Sequence, residues 1–141
     1  EPNDIVLDVA CGTGYSTAII AHLANSVVAI ESEAALVARA NENLAKLDIG
    51  NAAVIKASLA KGAPDEAPFD VIIIQGTIAE VPAALLDQLR VGGRLVALIG
   101  NGGSAVATTY VKSKGGVAAV ASFNANLPEI KELARAPGFS F

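Results

Sequence analysis

Asp8, Ala10, Gly12 and Gly14 alternate along the run Asp8-Val9-Ala10-Cys11-Gly12-Thr13-Gly14-Tyr15. Glycines at 12 and 14 let the chain bend tightly and let a ligand approach with no Cβ in the way. The helical pattern that follows aims its first amides at that ligand, which favours a carboxylate or a phosphate there. Seventeen residues past Gly14 stands Glu31, at the end of a second apolar run. A carboxylate in that place accepts hydrogen bonds from both hydroxyls of a ribose. Asp8 offers a further carboxylate, able to balance an ammonium group directly or through water.

Two cofactor classes use this layout. A dinucleotide turn takes the form Gly-x-Gly-x-x-Gly, whose third glycine allows close helix–strand packing. Counted from Gly12 the third place is Thr17, and counted from Ala10 it is Tyr15. The form for a nicotinamide or flavin nucleotide is therefore imperfect. S-adenosylmethionine takes a loop of the form acid-x-small-x-Gly-x-Gly, which Asp8-x-Ala10-x-Gly12-x-Gly14 fits. There the ligand carries an amino acid group in place of a pyrophosphate, so Asp8 answers its ammonium and loop amides its carboxylate. Each residue has a plainer use as well. Asp8 can tie down the turn, Glu31 can be a solvated strand-end acid, Ser58 a turn residue, and Tyr15 a packing residue on its helix. Cys11 reads as a small loop filler rather than a nucleophile. His22 reads as a surface or packing residue, and Asp70 as structural.

The elements that must position these residues alternate. Residues 5–10 predict a buried strand, and 15–24 a helix with Ile19, Ile20 and Leu23 at helical spacing. A second strand follows at 27–30. The helix at 33–47 carries Ala34, Leu36, Val37, Ala40, Leu44 and Leu47 on one stripe. A third strand at 53–55 leads into a loop at 61–68 and a fourth strand at 69–74. Residues 81–89 predict a helix with Pro82 in its first turn, 90–93 a turn, and 94–99 a fifth strand closed by Gly100-Asn101-Gly102-Gly103. Segments 104–112 and 117–124 predict an antiparallel hairpin, and the tail at 127–141 an edge segment or short helix. The sum is a single α/β domain, a doubly wound and mostly parallel sheet with a C-terminal antiparallel hairpin at its edge. Strands that are apolar throughout suit a parallel sheet covered on both faces. Ligands of such sheets bind at the carboxyl ends of the strands, near the point where strand order reverses.

Composition narrows the partners. With 141 residues, 52% of them apolar and 17% charged, one domain with a sizeable core is expected. Ten Lys+Arg against fourteen Asp+Glu give a net charge of −4, which argues against tracking a nucleic-acid backbone. The lone Cys11 forbids an internal disulfide and a Cys-rich zinc site, and the single histidine a His-based one, so no metal is expected. No apolar run approaches the roughly 18 residues of a membrane span, and no Arg-rich targeting segment stands at the start. The expectation is a cytoplasmic protein with no membrane partner. The chain contains no methionine, so a preceding segment is expected outside it. Oligomeric state is not set by these features.

The stretch from Val6-Leu7-Asp8 to Gly14-Tyr15, the acid Glu31, and Ala67-Pro68-Phe69-Asp70-Val71-Ile72-Ile73 form one set of signals. Glu80-Val81-Pro82, Leu85-Leu86-Asp87-Gln88-Leu89 and Gly92-Gly93-Arg94-Leu95-Val96 form another. Together they resemble the protein-L-isoaspartate O-methyltransferases, a branch of the class I S-adenosylmethionine-dependent methyltransferases. The resemblance implies a cofactor, S-adenosyl-L-methionine, and a substrate, a damaged protein or peptide whose isoaspartyl α-carboxyl is methylated. It implies that Asp8, Ala10, Cys11, Gly12, Thr13, Gly14 and Tyr15 surround the methionine part of the cofactor. Glu31, with Ser32, would hold the ribose, Ser58 and Leu59 would lie beside the adenine, and Gln75 would border the reacting methyl.

Three departures from the family pattern stand out. Alanine replaces glycine at Ala10, serine replaces the aspartate that takes the adenine amino group at Ser58, and Gln75-Gly76-Thr77 replaces a small, alanine-rich stretch. The family's hydroxyl residue near the reacting carboxylate belongs to an N-terminal segment outside this chain, so no catalytic residue is assigned. Methylating a carboxylate needs no strong base, because the nucleophile is already ionised. It needs oxygen, methyl carbon and sulfonium sulfur in line, with water excluded. Two other readings stay open: a methyltransferase of the same fold with a different acceptor, and a cofactor-binding domain without turnover.

Overall fold

The computed structural model describes residues 1–101, 104–125 and 127–133. In chain order these form β1 (Ile5–Val9), α1 (Tyr15–Ala21), β2 (Ser26–Glu31), α2 (Ala34–Lys46) and β3 (Ala52–Lys56). After a short 3-10 turn (Pro64–Glu66) come β4 (Phe69–Ile78), α3 (Ala83–Asp87), β5 (Leu89–Asn101), β6 (Ser104–Ser113) and β7 (Gly116–Ala125). A 3-10 turn at Lys131–Leu133 ends the described chain. The sheet has seven strands in the order β3-β2-β1-β4-β5-β6-β7. The first five pair in parallel, and β5, β6 and β7 pair antiparallel. This is the doubly wound sheet with an antiparallel edge that the apolar pattern anticipates. The chain winds outward from β1 to β3 and then returns to the far side of β1. Strand order therefore reverses between β1 and β4, where such sheets open a crevice.

Alternation along each strand decides what lies on which face. Val6, Val27 and Val71 pack with Ala21 of α1, and Ala29 and Val54 pack with Ala18, Ala40 and Leu44 of α1 and α2. The opposite face buries Leu7, Val9, Ile30, Ile72, Ile74 and Leu95 around Phe69 and Leu85. Fully burying a side chain of this size contributes about 1.5–3 kcal/mol, so the two clusters hold the sheet between its layers. Asp8 falls on the same face as Val6, under α1, while its neighbours Leu7 and Val9 point the other way.

The structure departs from the sequence pattern in four places. α1 ends at Ala21 and turns Thr17, Ala18 and Ala21 toward the sheet, leaving Ile19 and Leu23 64% and 65% exposed. The helix predicted over 81–89 is only the five residues of α3, with Pro82 as its N-cap. Residues 90–93 belong to β5, at a register shift between Phe69↔Leu89 and Val71↔Arg94 where Gly92 takes φ 91. β4 runs past 74 to Ile78 because it has partners on both sides. β5 pairs with it at Thr77↔Leu98 and Ile78↔Ile99. Beyond the end of β1, the segment 127–130 takes the vacated side: Thr77 donates N–H to the Pro128 carbonyl at 3.0 Å, and Ile130 donates to the Thr77 carbonyl at 2.9 Å.

Gly76 makes that approach possible, since a Cβ there would stand 2.5 Å from Ile130 Cγ1. The tail thus begins beside the central strand β4 rather than at an edge of the sheet, and a short helical turn follows. Gly102 and Gly103 of the predicted closing loop and residues 134–141 of the predicted tail lie outside the described residues. Asp70 is structural: it accepts the Ile5 N–H at 2.8 Å and meets Arg90 at 3.1 Å, tying β1 and β5 to the start of β4.

Candidate functional site

Between β1 and α1 the chain takes the left-handed region three times, at Ala10 (φ 65), Gly12 (φ 59) and Gly14 (φ 89). The turn is pinned to the tip of β2, because Ala10 and Cys11 donate their N–H groups to the Ile30 carbonyl at 3.1 and 3.4 Å. The two glycines serve different ends. A Cβ on Gly14 would lie 3.2 Å from the Ala40 Cβ, so Gly14 lets the turn pack on α2. A Cβ on Gly12 would meet nothing within 4 Å. Gly12 instead leaves open space above bare backbone. Ala10 holds a conformation that costs a residue with a Cβ roughly 1–2 kcal/mol.

Asp8 lies directly beneath this turn, fully buried. It accepts hydrogen bonds from Thr17 Oγ1 at 2.8 Å, Ser16 Oγ at 3.1 Å and Gln75 Nε2 at 3.0 Å. Gln75 reaches it because residues 71, 73 and 75 share one face of β4, and Asp8 sits beside Ile73 in register. Burial raises the Asp8 carboxyl above its ordinary value of 3.8, and the three donors pull it part of the way back. The carboxyl therefore sits in the floor of the site, held by donors of its own chain. Cys11 is buried beside it, its thiol pushed up to about 12 by burial and then by the charges of Asp8 and Glu31. It stays protonated at neutral pH and is no nucleophile.

Glu31 ends β2, 7% exposed. One oxygen accepts the Gly12 N–H at 3.1 Å and the other the Ser32 N–H at 2.8 Å. A single carboxylate thus joins the glycine turn to the tip of the second strand. Beyond it a cleft of about 490 Å³ opens at the tips of β2 and β3, lined by Ser32, Lys56, Ala57, Ser58 and Glu132. Leu59 is in the core, but its N–H donates to Glu132 Oε2 at 2.7 Å. Asn43 Nδ2 donates to the Thr13 carbonyl at 2.9 Å, and Tyr15 opens α1 with its side chain 61% exposed.

Hydrogen bonds join Cys11 to Gly14 and Glu31 to Gly12 and Ser32, while Ala10 and Cys11 share the Ile30 carbonyl. Asp8 is tied separately to Ser16, Thr17 and Gln75, Thr13 to Asn43, and Ser58 lies across the adjoining cleft. Sequence reasoning missed Lys56, Ala57 and Glu132. The first two follow from the end of the third strand, and Glu132 lies 73 residues from its partner, with no local signal. Along the three strand tips the site offers a buried carboxyl as its floor, an open backbone turn, an acid and a cleft. Among the described residues no group of three His, Cys, Asp or Glu side chains is placed to hold a metal ion, and no helix is long and apolar enough to cross a membrane.

Comparison with known proteins points the same way. The family model described as protein-L-isoaspartate(D-aspartate) O-methyltransferase matches residues 1–125. A protein-L-isoaspartate O-methyltransferase of Methanoculleus marisnigri is 41% identical over 98 residues, covering 70% of this chain and 44% of its own length. Protein-L-isoaspartate O-methyltransferase 1 of Syntrophobacter fumaroxidans is 44% identical over 101 residues, covering 72% and 47%. This chain spans about half the length of the curated relatives it matches. A solved protein-L-isoaspartate O-methyltransferase superposes with a TM-score of 0.86 at 23% identity, over 95% of this chain and 44% of that one, which speaks to the fold. A Plasmodium falciparum structure of the same description, in complex with S-adenosyl-L-homocysteine, gives a TM-score of 0.77 at 25% identity, over 94% and 67%.

Proposed function

The chain belongs to the protein-L-isoaspartate(D-aspartate) O-methyltransferase family, and from that premise we propose that it binds S-adenosyl-L-methionine and serves methyl transfer to the carboxylate of isoaspartyl residues in proteins or peptides. The observation that carries this reading is the union of Gly12 and Glu31. The open glycine turn and the strand-end acid are joined by one 3.1 Å hydrogen bond at the tips of adjacent strands. An amino acid seated on the turn and a ribose at the acid then belong to one molecule. The open space above Gly12 is the fit test such a ligand passes, since nothing stands where its Cβ would be.

The bound cofactor supplies an activated methyl on a sulfonium. This chain's residues bind and orient. The N–H groups of Ala10, Cys11, Gly12 and Gly14 are taken up within the chain, so the Thr13 N–H and the first amides of α1 are the ones that meet the ligand carboxylate. The Asp8 carboxyl below the turn, an acceptor group, favours its ammonium. Glu31 keeps lone pairs for the ribose hydroxyls while its two oxygens hold Gly12 and Ser32. Ser32 and Ser58 flank the cleft for the base. No side chain of the site has to remove a proton, because a carboxylate acceptor is already ionised at neutral pH. Alignment and exclusion of water are then the main contributions to rate. A cytoplasmic setting, with isoaspartyl proteins as partners, is part of the same reading.

Calorimetry with S-adenosyl-L-methionine, S-adenosyl-L-homocysteine and NADH tests the cofactor: the first two bind and NADH does not. Methyl transfer to an isoaspartyl peptide, with the matching aspartyl peptide as control, tests the acceptor. Binding of NADH without either adenosyl ligand overturns the reading. Binding of the adenosyl ligands with no methylation of the peptide by the full-length protein leaves the fold and cofactor and removes the acceptor.

A further inference from the structure

Among the described residues Glu132 is the one acid lining the cleft at the tips of β2 and β3, and nothing in the cofactor reading above uses it. The turn Lys131–Leu133 is brought there by the segment that pairs with Thr77, and Leu133 is buried in the core beneath. One Glu132 oxygen, Oε2, is fixed on the Leu59 N–H at 2.7 Å. The other has no protein partner among the described residues and belongs to a side chain that lines the cleft. The neighbouring Ser58 brings a neutral hydroxyl. A carboxylate anchored at one oxygen accepts hydrogen bonds at the other, so it selects a ligand edge that donates. Adenine presents an exocyclic amine and hypoxanthine a carbonyl at the same ring position.

We propose that Glu132 is a specificity residue for the base, accepting the exocyclic amine of adenine and rejecting its oxo counterpart. The proposal rests on the cofactor reading above and adds to it the group that reads the base. Glu132 is exposed at the cleft; a carboxylate held there discriminates against a ligand edge of the opposite polarity because an acceptor then faces an acceptor.

The test is calorimetry of the full chain with S-adenosylhomocysteine and S-inosylhomocysteine, repeated on Glu132→Gln and Glu132→Ala. The unaltered chain is expected to favour the adenosyl ligand by about tenfold or more. Glutamine can still hold the Leu59 N–H through its carbonyl while turning an NH₂ toward the cleft, so in E132Q the preference falls to near one or inverts. E132A is expected to lose about tenfold in adenosyl affinity and to gain nothing for the inosyl ligand. A merely structural role at Leu59 would change both affinities together and leave their ratio alone. An unchanged ratio in E132Q overturns the proposal, as does tighter adenosyl binding in E132A, which would make Glu132 a competitor for the Leu59 N–H. If the unaltered chain binds neither ligand, the cofactor reading itself fails and this inference falls with it.

Discussion

At the scale of single residues, the glycine turn carries one misfit. Ala10 holds φ 65, a region that glycine occupies without penalty. Replacing its methyl by hydrogen relieves that strain, and the added freedom of the unfolded chain takes back part of the gain. Ala10→Gly is expected to stabilise the chain by about 0.5–1 kcal/mol, read as a higher denaturation midpoint at unchanged slope. Cys11 gives a second outcome. The folded protein keeps a thiol proton that the unfolded chain loses near 9, because the folded value is pushed up to about 12. This contribution to stability is whole below pH 9 and is lost as pH climbs through about 12. At pH 8 a thiol reagent should therefore label the native chain far more slowly than the denatured one. Equal rates would show that Cys11 is exposed or ionised.

At the scale of elements, what the sequence showed clearly was what burial on two faces imposes. β1, β2 and the first part of β4 are apolar at nearly every position, and such runs belong in a covered parallel sheet. The run Asp8 to Gly14 was legible for the same local reason, since left-handed turns call for glycine. α1 was harder to read. Ile19 of the helix and Leu23 just beyond its end face outward while Thr17, Ala18 and Ala21 face the sheet, where Ala18 packs beside Ala29 and Ala40. The C-terminal half of β4 was hidden too, as its last residues are strand only through β5 and the segment 127–130. That dependence is testable. Gly76→Val drives a branched side chain into Ile130, 2.5 Å from where its Cβ must sit. The segment should detach from Thr77, with a loss of about 1–3 kcal/mol and faster hydrogen exchange confined to Thr77, Ile130 and Leu133. Uniformly faster exchange would mean that the whole sheet had loosened instead.

At the scale of the molecule, stability and ligand binding meet in Glu31. The sheet brings the β1 turn and the β2 tip together, and one carboxylate holds both through Gly12 and Ser32. The same oxygens lie where a ribose is proposed to sit, so on that proposal the residue that assembles the site also receives its ligand. A ligand that binds only the folded chain stabilises it by about 2.7 kcal/mol at a hundredfold excess over Kd. For a chain of 141 residues that is on the order of a 10 °C rise in Tm. Glu31→Gln keeps one carbonyl acceptor and loses the second, so one of the two N–H groups goes unpaired. The variant should lose about 1–2 kcal/mol without ligand and most of the rise that S-adenosyl-L-homocysteine gives the unaltered chain. These two losses separate the roles. A variant that melts lower yet keeps the full ligand-induced rise would make Glu31 a clasp between strand tips and nothing more, and would leave the ribose without a partner on β2.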